Sequence, residues 1–113
     1  MEALPLTAMM LGGLDVSAAV ILNFTGNFER NVVQYDCGEA GNMTADYINA
    51  APNYLAILEL GGRKLVFVTV IAASGAKYAA GEYEWWTDGG EGTLTNLASS
   101  DEPLTCLEIS ETP

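Results

Sequence analysis

The chain has 113 residues, half of them hydrophobic, with 15 acidic and four basic residues and a formal net charge of -11 at pH 7. This length predicts a single domain with a packed core, since single cores of about 100–150 residues are the commonest size. Nucleic acids and anionic membranes require clustered cations, so we expect neither as a partner. A macromolecular partner should be basic. The absence of histidine removes the usual general base and the imidazole metal ligand.

The first 30 residues are predicted to form an N-terminal extension to a domain that spans residues 31–113. Residues 1–13 are apolar but contain Glu2 and no lysine or arginine, unlike the positively charged start of a secretory signal peptide. Residues 16–24 are also apolar and are too few to cross a bilayer as a helix. We expect them to form a further strand, with a short buried helix as the alternative.

From residue 31 onwards, short strand patterns alternate with turn residues. The predicted strands are residues 31–37, 43–49, 54–60, 64–71, 77–87, 91–97 and 104–109. Gly61 and Gly62 form a two-residue hairpin turn, because glycine takes a positive φ without a Cβ penalty. A second tight turn follows at Asp88-Gly89-Gly90. About seven short strands at this spacing, without an amphipathic helix, indicate a closed antiparallel sheet or barrel.

Two loops flank an aromatic strand in residues 73–94. The first loop, at Ser74, has a small polar tip that could enter a cleft and form hydrogen bonds there, although a simple turn is the alternative. Strand alternation sends Tyr83 and Trp85 to one face, and Trp86 to the other face with Glu82 and Glu84. Trp86 is therefore the aromatic residue most expected to be exposed.

The chain lacks the residue arrangements that are typical of catalysis. Ser74 is outside a G-x-S-x-G elbow, and no histidine is present to activate it, which leaves Lys77 as a remote alternative. Glu82 and Glu84 share one strand face, a pattern far more typical of a solvent-facing strand than of a glycosidase pair. Residues 88–91 lack the alternating ligands of a calcium loop. We therefore predict a non-enzymatic protein with no cofactor and no metal.

The pattern in residues 73–94 resembles that of the small bacterial inhibitors of C-type lysozyme, S-x-S-G-A-[RK]-Y followed by G-x-Y-x-[WF]-W-[ST]-K-G-x-x-A-T. The matching positions are Ser74, Gly75, Ala76, Lys77, Tyr78, Gly81, Tyr83, Trp85, Trp86, Thr87, Gly89 and Thr93. The resemblance covers about residues 31–110. It implies an all-β fold, a small antiparallel β-barrel of about eight strands stapled by one disulfide.

The same resemblance implies that Cys37 and Cys106 are paired, since the inhibitors carry Y-x-C near the start of the domain and C-x-[LI] near its end. A bond that closes so long a loop is worth about 4 kcal/mol in the chain-entropy model. Two free thiols are the alternative. Pairing points to an oxidising compartment and leaves no cysteine for a lipid anchor, so we expect a soluble periplasmic protein.

The resemblance also implies a function, the non-covalent inhibition of C-type lysozyme by insertion of the Ser74 loop into its active-site cleft. The expected lysozyme-binding residues are Ser74, Gly75, Ala76, Lys77, Tyr78, Trp86, Thr87, Asp88 and Gly89. In the inhibitors a lysine accompanies the serine into the cleft, and Asp88 stands at that lysine position. A carboxylate cannot replace a lysine beside catalytic carboxylates. Three arrangements remain open. In the first, Lys77 supplies the cation, and in the second, Asp88 meets an arginine at the rim of the cleft. In the third, the mode of inhibition differs from that of the family.

Two other classes of function remain open, a small-ligand-binding barrel and an envelope structural module.

The apolar segment at residues 16–24 must be covered, because an exposed strand edge is a template for pairing. It would either close the barrel within its own chain or cross to a second copy. Of the two, we favour the homodimer.

Overall fold

Eight antiparallel strands form one closed barrel in the computed structural model, which describes residues 21–60 and 62–112. The strands are β1 (Glu29–Asp36), β2 (Asn42–Ala50), β3 (Asn53–Leu60), β4 (Arg63–Val70), β5 (Ala76–Ala80), β6 (Tyr83–Asp88), β7 (Glu91–Asn96) and β8 (Leu104–Thr112). A short 3-10 turn at Gly38–Ala40 joins β1 to β2. Each strand pairs with the next, and β8 pairs with β1. The predicted all-β barrel is confirmed. No helix within the described ranges has the length and apolarity that a bilayer span requires.

The single strand predicted for residues 77–87 is wrong, because this stretch contains two strands. The chain turns at Gly81, whose φ of 57° is accessible to glycine at little cost. Strand β5 therefore ends at Ala80 and β6 begins at Tyr83. The strand or helix expected for residues 16–24 falls mainly on residues 16–20, which lie outside the described residues, and residues 21–24 form neither.

Two hairpin turns lie where glycine pairs predicted them. One connects β3 to β4, where Gly62 has a φ of 79° and Gly61 lies outside the described residues. The other connects β6 to β7, where Gly89 has a φ of 66°. Positive φ at these positions matches the twist of the flanking strands, which is why glycine specifies the hairpins.

Large side chains fill the interior of the barrel. Trp85, Phe67 and Leu58 are all 0% exposed. Directly opposed residues of an antiparallel pair point to the same side of the sheet, and Trp85 lies between Tyr78 of β5 and Leu94 of β7. The inner face is thus continuous from β5 to β7 and forms the core.

The disulfide that the resemblance implied is present. Cys37, just after β1, is bonded to Cys106 of β8 across a sequence separation of 69 residues. Both cysteines are buried in the core. Gly92 lies opposite Cys106, and a Cβ at Gly92 would overlap the ring of Trp85. The covalent link and the largest core side chain therefore occupy the same part of the interior.

Alternate connections lie at the same end of the barrel, because successive strands run in opposite directions. One end, which we call the upper end, carries the β2–β3 connection, the β4–β5 connection at residues 71–75 and the β6–β7 turn. The lower end carries the other four connections, including the turn at Gly81. The two loops that flank the aromatic strand in the sequence are therefore neighbours at the upper end.

Candidate functional site

The loop of residues 71–75, which we call the Ser74 loop, is attached to β6 at two points. The indole N–H of Trp86 donates a hydrogen bond to the carbonyl oxygen of Ser74 at 2.9 Å. Gly75 has a φ of 67°, and a Cβ there would overlap the carbonyl oxygen of Thr87. The loop backbone therefore lies directly on β6, and glycine is required for that approach. The side chain of Ser74 is exposed above it.

Trp85 and Trp86 point to opposite sides of β6, as strand alternation predicted. Trp85 is 0% exposed and Trp86 is 41% exposed. Lys77, on the outer face of β5, places its Nζ 5.9 Å from the centroid of the Trp86 ring and 3.8 Å from Oε2 of Glu84. The charge of Lys77 therefore faces Glu84 across the outer surface of the barrel.

A shallow notch beside the β6–β7 turn carries negative charge. Asp88 pairs with Glu91 across the turn, and both are exposed. Together with Trp86 and Thr93 they line a cavity of about 210 Å³. Carboxylates and an aromatic ring face are groups that attract ammonium or guanidinium ions. The turn thus suits a cation from a partner.

The inner side of β6 is held by a buried aromatic network. The indole N–H of Trp85 donates to the hydroxyl of Tyr47 at 2.8 Å, and that hydroxyl shares a hydrogen bond of 2.8 Å with Tyr35. The rings of Tyr35 and Trp85 meet edge to face, with centroids 5.2 Å apart. Burial, and then the hydrogen bond with Tyr35, raises the pKa of Tyr47 far above its usual range. The network fixes the strand on which the Ser74 loop rests.

A polar cavity of about 230 Å³, which we call the mouth, opens at the upper end of the barrel. Its lining consists of Asn31, Val33, Tyr35, Tyr47, Asn49, Tyr78, Thr87, Gly89 and Glu108. Asn31, Asn49 and Glu108 come from strands that are distant in the chain, and only barrel closure brings them together. No local pattern marks such a set.

The expected lysozyme-binding residues fall into two groups. The Ser74 loop, Ala76, Trp86, Thr87, Asp88 and Gly89 surround the upper end, with Lys77 on the adjoining outer face. Tyr78 differs from them because it is only 7% exposed and packs in the core, where burial raises its pKa. A contact from Tyr78 to a partner would have to pass through the mouth. Within residues 21–60 and 62–112, no group of three or more cysteine or carboxylate side chains could hold a metal ion.

Comparison with known proteins identifies the family. Residues 35–103 match MliC, described as membrane-bound lysozyme-inhibitor of c-type lysozyme. A Pseudomonas aeruginosa protein named membrane-bound lysozyme inhibitor of C-type lysozyme is 36% identical over 118 residues, which cover 98% of this chain and 93% of that protein. A Cupriavidus necator protein of the same name is 37% identical over 75 residues. That match covers 66% of this chain and 60% of the Cupriavidus protein.

A solved structure shares the fold. It is the crystal structure of Pseudomonas aeruginosa MliC in complex with hen egg white lysozyme, with a TM-score of 0.67 and 36% identity. The match covers 86% of this chain and 100% of the Pseudomonas MliC chain. The family is named for inhibition of an enzyme, which confirms the prediction of a non-enzymatic protein. The matched sequence, the near full-length relative and the shared barrel show that this chain belongs to the MliC family of C-type lysozyme inhibitors.

Proposed function

We propose that this protein inhibits C-type lysozyme by placing the Ser74 loop in the active-site cleft of the enzyme. The main support is the attachment of that loop to β6, through the Trp86–Ser74 hydrogen bond and the contact between Gly75 and Thr87. A loop that is already held in one conformation loses little conformational entropy on binding. The lysozyme complex of the Pseudomonas relative supports the choice of partner.

The charges at the upper end favour one of the three arrangements for Asp88. Lys77 faces Glu84 at 3.8 Å, so it would have to leave that carboxylate to reach the cleft. Asp88 and Glu91, in contrast, are exposed beside the ring of Trp86. We infer that they receive an arginine or lysine from the rim of the lysozyme cleft, while Ser74 enters the cleft. The net charge of -11 also attracts a basic enzyme over long range.

A lytic assay with hen egg white lysozyme tests this function. The parent protein should inhibit lysis at low ionic strength and less strongly as salt rises, because salt screens the attraction between opposite charges. Ser74→Arg should weaken inhibition by at least about tenfold, since a turn tip tolerates bulk in solvent but not in a filled cleft. Ser100→Arg is the matched control, because Ser100 is exposed on the β7–β8 connection at the lower end. Undiminished lysis at a large molar excess of the parent would contradict the proposal.

The interior of the barrel disfavours the alternative of a small-ligand carrier. Trp85, Phe67 and Leu58 are fully buried within it, whereas ligand-binding barrels hold an open cavity. A ligand would have to bind at the mouth instead. The same proteins that show the family give no support to a purely structural role in the envelope.

We further propose a periplasmic, soluble form of the protein. The Cys37–Cys106 disulfide requires an oxidising compartment, and the cytosol of most bacteria is reducing. In the periplasm the protein would meet lysozyme before the enzyme degrades the cell wall, and so protect the bacterium from a host defence. Cell fractionation with unreduced mass spectrometry tests both points. Freely alkylated thiols in native material would contradict a periplasmic location.

The N-terminal extension, residues 1–30, is proposed to mediate a homodimer. Within its described part, Ile21 is 77% and Phe28 is 55% exposed, which leaves apolar side chains without cover. Deletion of residues 1–24 should convert a dimer to a monomer in light scattering. If the parent protein is monomeric at every accessible concentration, the extension instead packs on the barrel of its own chain.

A further inference from the structure

The mouth is lined by a largely buried tyrosine whose hydroxyl has no hydrogen-bond partner in the described part of the chain. Tyr78 is 7% exposed and lines the mouth. Within residues 21–60 and 62–112 its hydroxyl makes no hydrogen bond, whereas the hydroxyl of the neighbouring Tyr47 contacts both Trp85 and Tyr35. Buried polar groups in proteins are nearly always hydrogen-bonded. A partner that covers the mouth would therefore have to supply a hydrogen bond to the Tyr78 hydroxyl.

The other polar groups of the mouth indicate the charge of that occupant. The side chains of Asn31, Asn49 and Glu108 line it, and in the described ranges none of them is hydrogen-bonded or ion-paired. Glu108 is the charged residue of this lining, and no lysine or arginine belongs to it. The mouth therefore offers a carboxylate with amide and phenol oxygens, a set that accepts hydrogen bonds from a cation.

The size and position of the mouth suit a side chain of a bound protein. Its volume of about 230 Å³ is smaller than the roughly 300–1,000 Å³ of typical small-molecule pockets. Thr87, whose carbonyl oxygen supports Gly75, and Gly89 of the β6–β7 turn both line it. A protein that contacts the Ser74 loop and the β6–β7 turn at once therefore lies beside the mouth.

Covering the mouth would remove water from Glu108 and Tyr78. A carboxylate that loses its water is costly unless a cation replaces the water, and an unpaired hydroxyl adds to that cost. Close binding of lysozyme to the upper end is therefore favourable only if the enzyme supplies a partner for Glu108. A basic enzyme has such side chains on its surface.

We propose that the mouth receives an arginine side chain of the bound lysozyme, with Glu108 as its counter-ion and the Tyr78 hydroxyl as a further acceptor. This inference rests on the proposed function. Arginine fits better than lysine because its planar guanidinium presents five donors at fixed angles and stacks on aromatic rings. The rings of Tyr47 and Tyr78, with centroids 5.8 Å apart and tilted by 45°, flank the site.

The test compares the affinity of hen egg white lysozyme for the parent and three variants of the full chain. Glu108→Gln keeps the shape of the side chain and removes its charge, and should weaken binding by at least about tenfold, mainly through faster dissociation. Tyr78→Phe should weaken it by about threefold or more, because it removes one acceptor. Glu102→Gln removes the same charge from the β7–β8 connection at the lower end, and should change affinity less than about twofold. Melting temperatures of all variants establish that each is folded.

A second measurement observes the arginine itself. In lysozyme labelled with ¹⁵N, one arginine Nε–H signal should shift and gain protection when the parent binds, and this change should be lost with Glu108→Gln. If the parent binds lysozyme but Glu108→Gln and Tyr78→Phe match Glu102→Gln, the mouth inference is wrong and the proposed function stands. If the parent does not bind at all, the proposed function itself is wrong. A shifted lysine signal without any arginine shift would overturn the choice of arginine.

Discussion

Trp85 and Trp86 are adjacent in the chain and have opposite roles in the molecule. Trp85 is completely buried, bonded to Tyr47 and packed on Tyr35. Trp86 is 41% exposed and donates its N–H to the Ser74 loop. One strand therefore connects the core of the barrel to the loop proposed to bind lysozyme.

A small domain can thus hold a binding loop in place without a large loop structure. Loops are usually the most mobile parts of a protein, and their order must come from elsewhere. In this protein the order comes from β6, since its inner face is fixed by the core and its outer face supplies the contacts to the loop. Changes to the inner face should therefore alter stability, and changes to the outer face should alter binding.

The largest expected effect is that of Trp85→Ala. Removing a fully buried tryptophan should lower the free energy of unfolding by about 3–5 kcal/mol. Trp86→Ala should lower it less, because that side chain is 41% exposed, while it weakens lysozyme inhibition strongly. Urea unfolding and the lytic assay on both variants measure the contrast. Equal losses of stability would show that the two faces of β6 are not separate in their effects.

The disulfide should rank next. Replacing Cys37 and Cys106 together by serine should cost about 2–4 kcal/mol, because the unfolded chain regains the entropy of a loop closed across 69 residues of sequence. In buffer where the variant remains folded, inhibition should persist, since both cysteines are buried in the core and neither belongs to the Ser74 loop or to the notch. If a variant that is shown to be folded no longer inhibits lysozyme, the disulfide is needed for binding as well as for stability.

Alanine variants of two glycines distinguish an effect on the position of the Ser74 loop from an effect of backbone strain. Gly75 and Gly81 both have positive φ, 67° and 57°. A Cβ at Gly75 would meet the carbonyl oxygen of Thr87, whereas at Gly81 nothing lies within 4 Å. Both alanine variants should lose roughly 1–2 kcal/mol of stability from the left-handed backbone. Gly75→Ala should in addition reduce inhibition by more than about tenfold, because it displaces the Ser74 loop. Similar inhibition by the two variants would indicate that the loop position is unimportant.

The smallest effect concerns alkaline pH. The pKa of Tyr47 is raised above the ordinary value of 10.0, mainly by burial and then by the hydrogen bond with Tyr35. Below about pH 10 the Tyr47 hydroxyl keeps its proton in both the folded and the unfolded chain. Above that pH the unfolded chain releases the proton, whereas the folded chain keeps it. Stability should therefore fall as pH rises above about 10. The fall should be shallower in Tyr47→Phe, and pH-dependent urea unfolding measures it.

Much of the fold follows from local sequence patterns. Alternation placed Trp85 inside and Trp86 outside, and glycine pairs located the turns at Gly62 and Gly89. The turn at Gly81 was missed because the strand pattern continues on both sides of it. A single glycine within such a pattern is compatible with a bulge or a turn, and only the pairing of β5 with β6 decides between them.

Less of the site could be predicted. The motif identified the Ser74 loop, but it could not show that Trp86 holds this loop by its N–H. The lining of the mouth was not predicted, since Asn31, Asn49 and Glu108 meet only when β8 closes on β1. Sites of this kind depend on the register of distant strands, which single-sequence patterns do not specify.

Competition with a cleft ligand tests whether the Ser74 loop enters the lysozyme cleft. An oligosaccharide of N-acetylglucosamine occupies the lysozyme cleft, so it and the Ser74 loop should exclude each other. The apparent Kd of the protein for lysozyme should rise in proportion to oligosaccharide concentration once the cleft is saturated. An apparent Kd that stays constant at saturating oligosaccharide would contradict insertion of the Ser74 loop into the cleft.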